Sequence, residues 1–281
     1  MTLTIAGGDK RALTVADLFA SRGCKCYVFG FDKHRSGANG VEHTDDVQAA
    51  ILNSSAVILP YPCQKDGFLN TPFSTRRTEI ESILTLAGED TLVLGGGLPK
   101  KSKNLIDYSN EEDFLLKNAV PTAEGALALA MQMLRSTVFG AYFVVMGYGR
   151  IGAYLAKILG SLGGKVTIVA RNAKSRTLAE ISGFDAVGFD DCEAPLTRAD
   201  MVFNTVPEKI FGERELSAIR SGRTIIDLAS LPGGADEEEC RMHKILLVRA
   251  LGLPGKVAPE TAGKAVFETV LRLLFDRGIR L

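Results

Sequence analysis

Six residues limit the possible folds of this chain more than any other stretch: Gly147-Tyr148-Gly149-Arg150-Ile151-Gly152. An apolar, strand-like run, AYFVVMG (141–147), leads into them, and AYLAKILGSLG (153–163) follows with helical spacing. A second strand-like run, KVTIVAR (165–171), comes next. Strand, glycine turn, helix and strand in this order form the context in which a G-x-G-x-x-G sequence binds a dinucleotide. Gly147 would permit the tight turn, Gly149 the approach of backbone to a pyrophosphate, and Gly152 the close packing of helix on strand. The free amides at the helix start, those of Arg150 and Ile151 among them, would hold the phosphates. A tight turn without a ligand is the alternative reading.

The end of the second strand bears on which dinucleotide is bound. In NAD-binding chains an Asp or Glu about 20 residues past the glycines usually accepts from the ribose hydroxyls. Here the strand ends in Arg171 and Asn172, followed by Lys174, Ser175 and Arg176, with no carboxylate among them. A guanidinium can pair with a 2′-phosphate through two parallel bonds. Arg171, Asn172 and Arg176 are therefore expected to favour NADP over NAD; the alternative is a solvated basic turn. Ligands of doubly wound sheets lie beyond the carboxyl ends of the strands. Asn204, Thr205, Val206 and Pro207 stand at one such end, Asp227 to Ser230 at another and Gly252 to Gly255 at a third. Asn204, Thr205, Val206, Pro207 and Ala229 are expected to touch the cofactor, although turn chemistry alone could place glycine and proline there.

The first half of the chain repeats the strand–helix alternation. Strand signals occur at 3–8, 24–31, 56–60 and 91–97, with a weaker one at 104–108, and helical patterns lie between them. Short acidic periodicity at 111–118 reads as a separate helix. Pro121 and Thr122 then read as the start of a mostly apolar connecting helix (120–137), with Glu124 in its first turn. Further strand signals at 185–189, 201–207, 224–230 and 245–252 precede a closing helix over 261–275. Repeated β–α units of this length imply parallel sheets covered on both faces. The expected class is α/β, with two doubly wound parallel-sheet domains, the second a Rossmann dinucleotide-binding fold. Residues 1–118 would form the substrate-side domain and 119–259 the Rossmann domain with its connecting helix. Residues 260–281 would form a helix that packs back on the first domain. The 120–137 and 261–275 helices would serve as the hinge of a closing cleft. No motif shared by the two halves is visible.

Composition narrows the partners. Basic and acidic residues balance at 33 each, which gives no electrostatic reason to bind nucleic acid or an anionic membrane. Five scattered cysteines form neither a disulfide framework nor a zinc pattern, and no metal is expected. Cys24 and Cys26 alternate onto one strand face and read as small buried residues. The start, MTLTIAGGDKR, lacks the pattern of a signal peptide, so a cytoplasmic protein is expected.

The acid–base group is less legible. His34 and His43 fall in a polar loop after the second strand, and His243 precedes a later strand; all three read as solvated. The polar candidates for proton transfer are Glu124, Asp227 and Ser230, with Thr122 beside them. Asp227 could equally cap a turn, and Glu124 could merely favour its helix start. In the first domain, Gly7-Gly8-Asp9-Lys10-Arg11 joins strand to helix. Its amides with Lys10 and Arg11 would suit a carboxylate, the alternative being a surface turn with solvated charges. Gly95, Gly96 and Gly97 could line the same cleft or form a simple loop.

At this point a set of motifs in fixed order points to a family. These are GGDKR (7–11), VFGFD (28–32), PTAEG (121–125), GYGRIG (147–152), AR (170–171), NTVP (204–207), DLAS (227–230), PGG (232–234) and GLPGKVAPETAG (252–263). Over nearly its full length the chain resembles the A subunits of dipicolinate synthase, a sporulation enzyme. The resemblance implies NADP-dependent oxidation of the cyclic product of dihydrodipicolinate synthase, 4-hydroxy-tetrahydrodipicolinate or its dihydro form, to dipicolinate. It also implies a partner, the flavoprotein-like B subunit of dipicolinate synthase, and the mother cell of a sporulating bacterium as the location. A homo-oligomer is expected. Loss of hydride and a proton from a dihydropyridine aromatises the ring, so a base weaker than histidine could suffice, and orientation would dominate. A dicarboxylate substrate would suit Lys10, Arg11, Thr122, Ser230 and Gly255. Leu231 departs from the family, which often has a basic residue there; a carboxylate-binding role at that position is in doubt. Two other functions remain open: another NADP-dependent oxidoreductase of the hydroxy-acid or shikimate dehydrogenase type, and a non-catalytic cofactor-binding subunit.

Overall fold

The computed structural model describes residues 1–33 and 37–280. His34 lies outside the described residues. The chain divides into two compact units, one of Met1–Asn118 with Ala258–Leu281, the other of Ala119–Val257.

In the first unit the elements run β1 (Thr2–Ala6), α1 (Lys10–Ala20), β2 (Lys25–Phe29), β3 (Val41–Thr44), α2 (Val47–Leu52) and β4 (Ala56–Ile58). A small antiparallel hairpin follows, β5 (Gln64–Lys65) with β6 (Phe68–Leu69), then α3 (Ile80–Ala87), β7 (Leu92–Gly95) and β8 (Leu105–Asp107). The six main strands are all parallel, in the order β3-β2-β1-β4-β7-β8. Counting only those strands, this is the 3-2-1-4-5-6 order of a doubly wound sheet. β1 is buried from Leu3 to Ala6 because period-two alternation aims its side chains at two covered faces. Leu3 and Ile5 face a core shared with Phe19 of α1, while Ala6 faces the opposite core with Ile51 and Ile83. His43, expected in a loop, lies on β3, whose polar sequence VEHT carries no strand signal.

Helix α4 (Glu112–Met133) follows, and here the structure corrects the expected boundaries. The short acidic helix and the apolar helix are one, and Pro121 sits inside it. Glu124 is therefore not in a first turn. A proline suits a helix start but also occurs inside, where loss of its N–H bond and ring crowding cost about 3 kcal/mol. Burial of Pro121 and its neighbours Thr122 and Ala123 offsets that cost.

The second unit continues with β9 (Tyr142–Met146), α5 (Arg150–Ser161), β10 (Lys165–Val169), α6 (Ala173–Ile181), β11 (Asp185–Val187), α7 (Glu193–Arg198) and β12 (Met201–Asn204). Then come α8 (Glu213–Ala218), β13 (Thr224–Asp227), α9 (Glu237–Met242), β14 (Leu246–Arg249) and α10 (Leu253–Val257). Its parallel sheet runs β11-β10-β9-β12-β13-β14, again 3-2-1-4-5-6 by unit. Phe143 and Val145 face one core with Leu155 and Leu159 of α5; Val144 and Met146 face the other with Leu196 and Leu216. The last helix, α11 (Pro259–Asp276), belongs to the first unit and lies on α1. The contact is close: a Cβ on Gly263 would stand 2.6 Å from Thr14 Cβ and 2.7 Å from the Arg11 carbonyl. Two motifs found in the sequence thus serve helix packing, since a Cβ on Gly125 of α4 would stand 3.0 Å from Leu253 Cβ of α10.

Candidate dinucleotide site

The glycine turn joins β9 to α5 at the point where the strand order of the second sheet reverses, between β9 and β12. Gly147 has φ +96°, open to glycine at little cost, and its N–H donates to the Val169 carbonyl at 2.8 Å. A Cβ there would collide with Thr205 Oγ1, and one on Gly152 with the carbonyl oxygen of Gly147. Gly149 is different. Its φ of −88° suits any residue, and no atom lies within 4 Å of where its Cβ would stand. Among the described residues nothing requires glycine at this position, and the space beside it is open. Gly149 is also the N-cap of α5, and no side chain caps the helix. The helix start thus offers its amides and dipole to an external anion, which fits a dinucleotide pyrophosphate.

Beside the turn, Thr205 Oγ1 donates to the Met146 carbonyl at 2.9 Å. The neighbouring strand ends are tied by one buried network. Asn204 Nδ2 donates to Asp227 Oδ1 at 2.7 Å and to the Val206 carbonyl at 3.0 Å, while its Oδ1 accepts from Val206 N. Asp227, 1% exposed, also accepts from the amides of Ala229 and Gly234. Arg249 Nη1 lies 3.5 Å from Asp227 Oδ2 and donates to the Pro232 carbonyl at 2.9 Å; its Nη2 donates to that of Ala235 at 2.8 Å. Both carboxylate oxygens of Asp227 are thus engaged, and the group shapes the 228–235 loop from beneath. The side chains of Asn204 and Asp227 are used inside the protein. What this loop presents to solvent is Ser230, Leu231 and Pro232; Ala229 is buried. Val206 is half-buried and Pro207 exposed.

The basic turn after β10 is more crowded than the sequence suggests. Arg171 is exposed, and its Nη2 donates to Glu208 Oε2. Arg176 Nη1 donates to the carbonyls of Ala170 and Arg171, and Asn172 Oδ1 caps α6 by accepting from Ser175 N. Arg171 and Arg176 border an open depression of about 470 Å³ with Phe189, Asp190 and Asp191. The segment read as free of carboxylates is so only locally; Glu208 arrives from the end of β12. Its place directly after NTVP was the available signal. Arg150 is exposed and Ile151 half-buried at the start of α5.

In the first unit, Arg11 differs from the free cation expected. Its Nε and Nη2 donate to the two carboxylate oxygens of Asp9 at 2.8 and 2.9 Å, and Nη2 also to the Tyr61 carbonyl. Asp9 meanwhile caps α1 by accepting from Arg11 N. Lys10 is exposed. The amides of Gly97 and Leu98, after β7, donate to Asp107. Of the other candidates, Thr122 is buried and Glu124 exposed on α4, and Gly255 is buried in α10. His243 Nε2 lies 3.2 Å from Glu213 Oε2. All five cysteines are buried and unlinked; burial pushes the thiols of Cys26 and Cys63 up to about 12, which leaves them unreactive at neutral pH. Among the described residues no helix is long and apolar enough to cross a membrane.

A glycine crossover at the switch point of a 3-2-1-4-5-6 sheet, with an uncapped helix start and space at Gly149, defines a Rossmann-type dinucleotide-binding protein. Residues 121–231 match the family of D-isomer specific 2-hydroxyacid dehydrogenase NAD-binding domains, and residues 2–112 match the N-terminal domain of dipicolinate synthase A subunits. The chain is 28% identical to the A subunit of dipicolinate synthase from Bacillus subtilis (strain 168), covering 98% of itself and 96% of that protein. The solved structure of the Bacillus subtilis protein superposes with a TM-score of 0.83, at 26% identity over 98% of this chain and 96% of the other. The A subunit of dipicolinate synthase from Bacillus halodurans superposes with a TM-score of 0.87, at 27% identity over 97% of each chain. L-alanine dehydrogenase shares the fold at 14% identity, with a TM-score of 0.65 over 99% of this chain and 91% of that one. The resemblance to dipicolinate synthase A subunits holds across both units, and the protein is an oxidoreductase of the nicotinamide dinucleotide class.

Proposed function

We propose that the chain oxidises 4-hydroxy-tetrahydrodipicolinate, or the dihydro form left when that compound loses water, to dipicolinate, with NADP as oxidant. The observation that carries this reading is the open turn at Gly149 in a chain that matches the A subunit of dipicolinate synthase from end to end. Bound NADP supplies the hydride acceptor. The amides at the start of α5 hold its pyrophosphate, and Arg171 and Arg176 receive the 2′-phosphate. Asn204, Asp227 and Arg249 fix the loop that presents Ser230. One hydride and one proton leave the dihydropyridine, and the ring becomes aromatic, so placement of the ring carbon outweighs the strength of any base. Of the three proton-transfer candidates, Ser230 and Glu124 are exposed, whereas Asp227 is buried with both carboxylate oxygens engaged by Asn204 and the amides of Ala229 and Gly234. Lys10, exposed and next to the Asp9–Arg11 pair, is the better placed cation for a substrate carboxylate. Partnership with the flavoprotein-like B subunit of the synthase and a cytoplasmic location accompany this reading.

The test is NADPH formation by the purified chain, followed by near-ultraviolet absorbance. Dihydrodipicolinate synthase makes the substrate in place from pyruvate and aspartate semialdehyde. Dipicolinate accumulating in step with NADPH supports the proposal. Activity only after the flavoprotein-like partner is added makes this chain one half of an obligate pair. Absence of turnover in both cases refutes the reaction and leaves a dinucleotide-binding protein.

A further inference from the structure

In the second sheet β10 and β12 flank β9, whose carboxyl end carries the glycine turn. Arg171 follows β10 and Glu208 follows β12, and their side chains meet, Nη2 donating to Oε2. The pair therefore links the two strand ends on either side of the dinucleotide turn. Arg176 holds the carbonyls of Ala170 and Arg171 at 2.9 and 2.7 Å, which fixes the backbone of Arg171 while its guanidinium can change partner. Arg171 is 68% exposed and Glu208 61%, so water screens the pair and it exchanges easily.

We propose that Glu208 is a specificity-determining residue: its carboxylate holds Arg171 until the 2′-phosphate of NADP takes its place. The proposal rests on the NADP reading above. A phosphate ester carries nearly two charges and three strong acceptor oxygens, against one charge on a carboxylate, and it displaces Glu208 from the guanidinium. The 2′-hydroxyl of NAD carries no charge and leaves the pair closed. The chain thus contains its own competitor for the phosphate, and this lowers its preference for NADP below what Arg171 alone would give.

Dissociation constants of the full chain for NADP and for NAD, measured by titration calorimetry, test this in wild type, Glu208→Gln and Arg171→Ala. Glu208→Gln should tighten NADP about two- to five-fold and leave NAD unchanged, the range expected on removing an exposed ion pair that competes with the ligand. Arg171→Ala should weaken NADP by about ten-fold or more, since a charge-assisted phosphate contact is lost. Unchanged or weaker NADP binding by Glu208→Gln, or an equal gain for NAD, overturns the role of Glu208 while Arg171→Ala still shows its loss. If Arg171→Ala leaves NADP binding intact, the NADP reading itself fails, and this inference fails with it.

Discussion

Two glycine turns stand at equivalent places in sheets of the same strand order, and only one of them is open. After β1, Gly7 and Gly8 lead into a helix whose start is capped by Asp9 and braced by Arg11. Gly8 N donates to the Asn70 carbonyl at 2.7 Å, and a Cβ on Gly8 would press on Ala12 and Pro60 at 2.9 and 3.1 Å. After β9, Gly149 leaves its helix uncapped and the space above it empty of protein. The strand order creates a helix start that attracts negative charge in both units. What differs is the source of that charge: the first unit supplies its own carboxylate, and the second leaves the place for a ligand. Asp107 repeats the pattern of the first unit by accepting from the amides of Gly97 and Leu98. A doubly wound topology therefore marks a possible anion site, and the capping residue decides whether it is available.

Substitutions can break this comparison at several points. Gly152→Ala should have the largest effect, because its Cβ would meet the backbone carbonyl of Gly147, which cannot swing aside. A loss of about 2–3 kcal/mol in urea unfolding, together with loss of dinucleotide binding, is expected. Asp227→Ala should cost about 2–3 kcal/mol, since it leaves Asn204 and two buried amides without their acceptor. Cofactor titration should then show weaker binding from a loosened 228–235 loop; full stability would show that Asp227 is not the anchor described. Asp9→Ala should cost about 1–2 kcal/mol through the lost cap and leave dinucleotide affinity unchanged. A change in that affinity would mean that the first turn also takes part in binding.

Much of the second unit was legible because its signals are local. The glycines, the apolar strands around them and the basic residues after β10 sit within about one βαβ unit of sequence. The capping of α1 was local too, but the Lys10-Arg11 charges suggested a ligand, and Asp9, the partner of Arg11, precedes it by only two residues. Other features depend on distant partners. Glu208 reaches Arg171 across 37 positions, and Arg249 reaches the Asp227 loop from the next strand. The equal strand order of the two units was invisible, because GGDKR and GYGRIG share no motif even though they occupy the same place. Pro121 misled for a simple reason: propensity favours a helix start, and only tertiary burial reveals a helix passing through it.

The most direct test is to close the open turn as the first unit closes its own. Gly149→Asp places a carboxylate at the α5 N-cap, where the backbone is already extended at φ −88° and no atom stands within 4 Å of the new Cβ. Thermal melting and dinucleotide titration of this one variant read the two consequences together. The account predicts a melting temperature equal to or above wild type and a loss of dinucleotide binding of at least about a hundred-fold, from carboxylate–pyrophosphate repulsion and a filled site. A variant that folds as well as wild type and still binds the dinucleotide with wild-type affinity would contradict it.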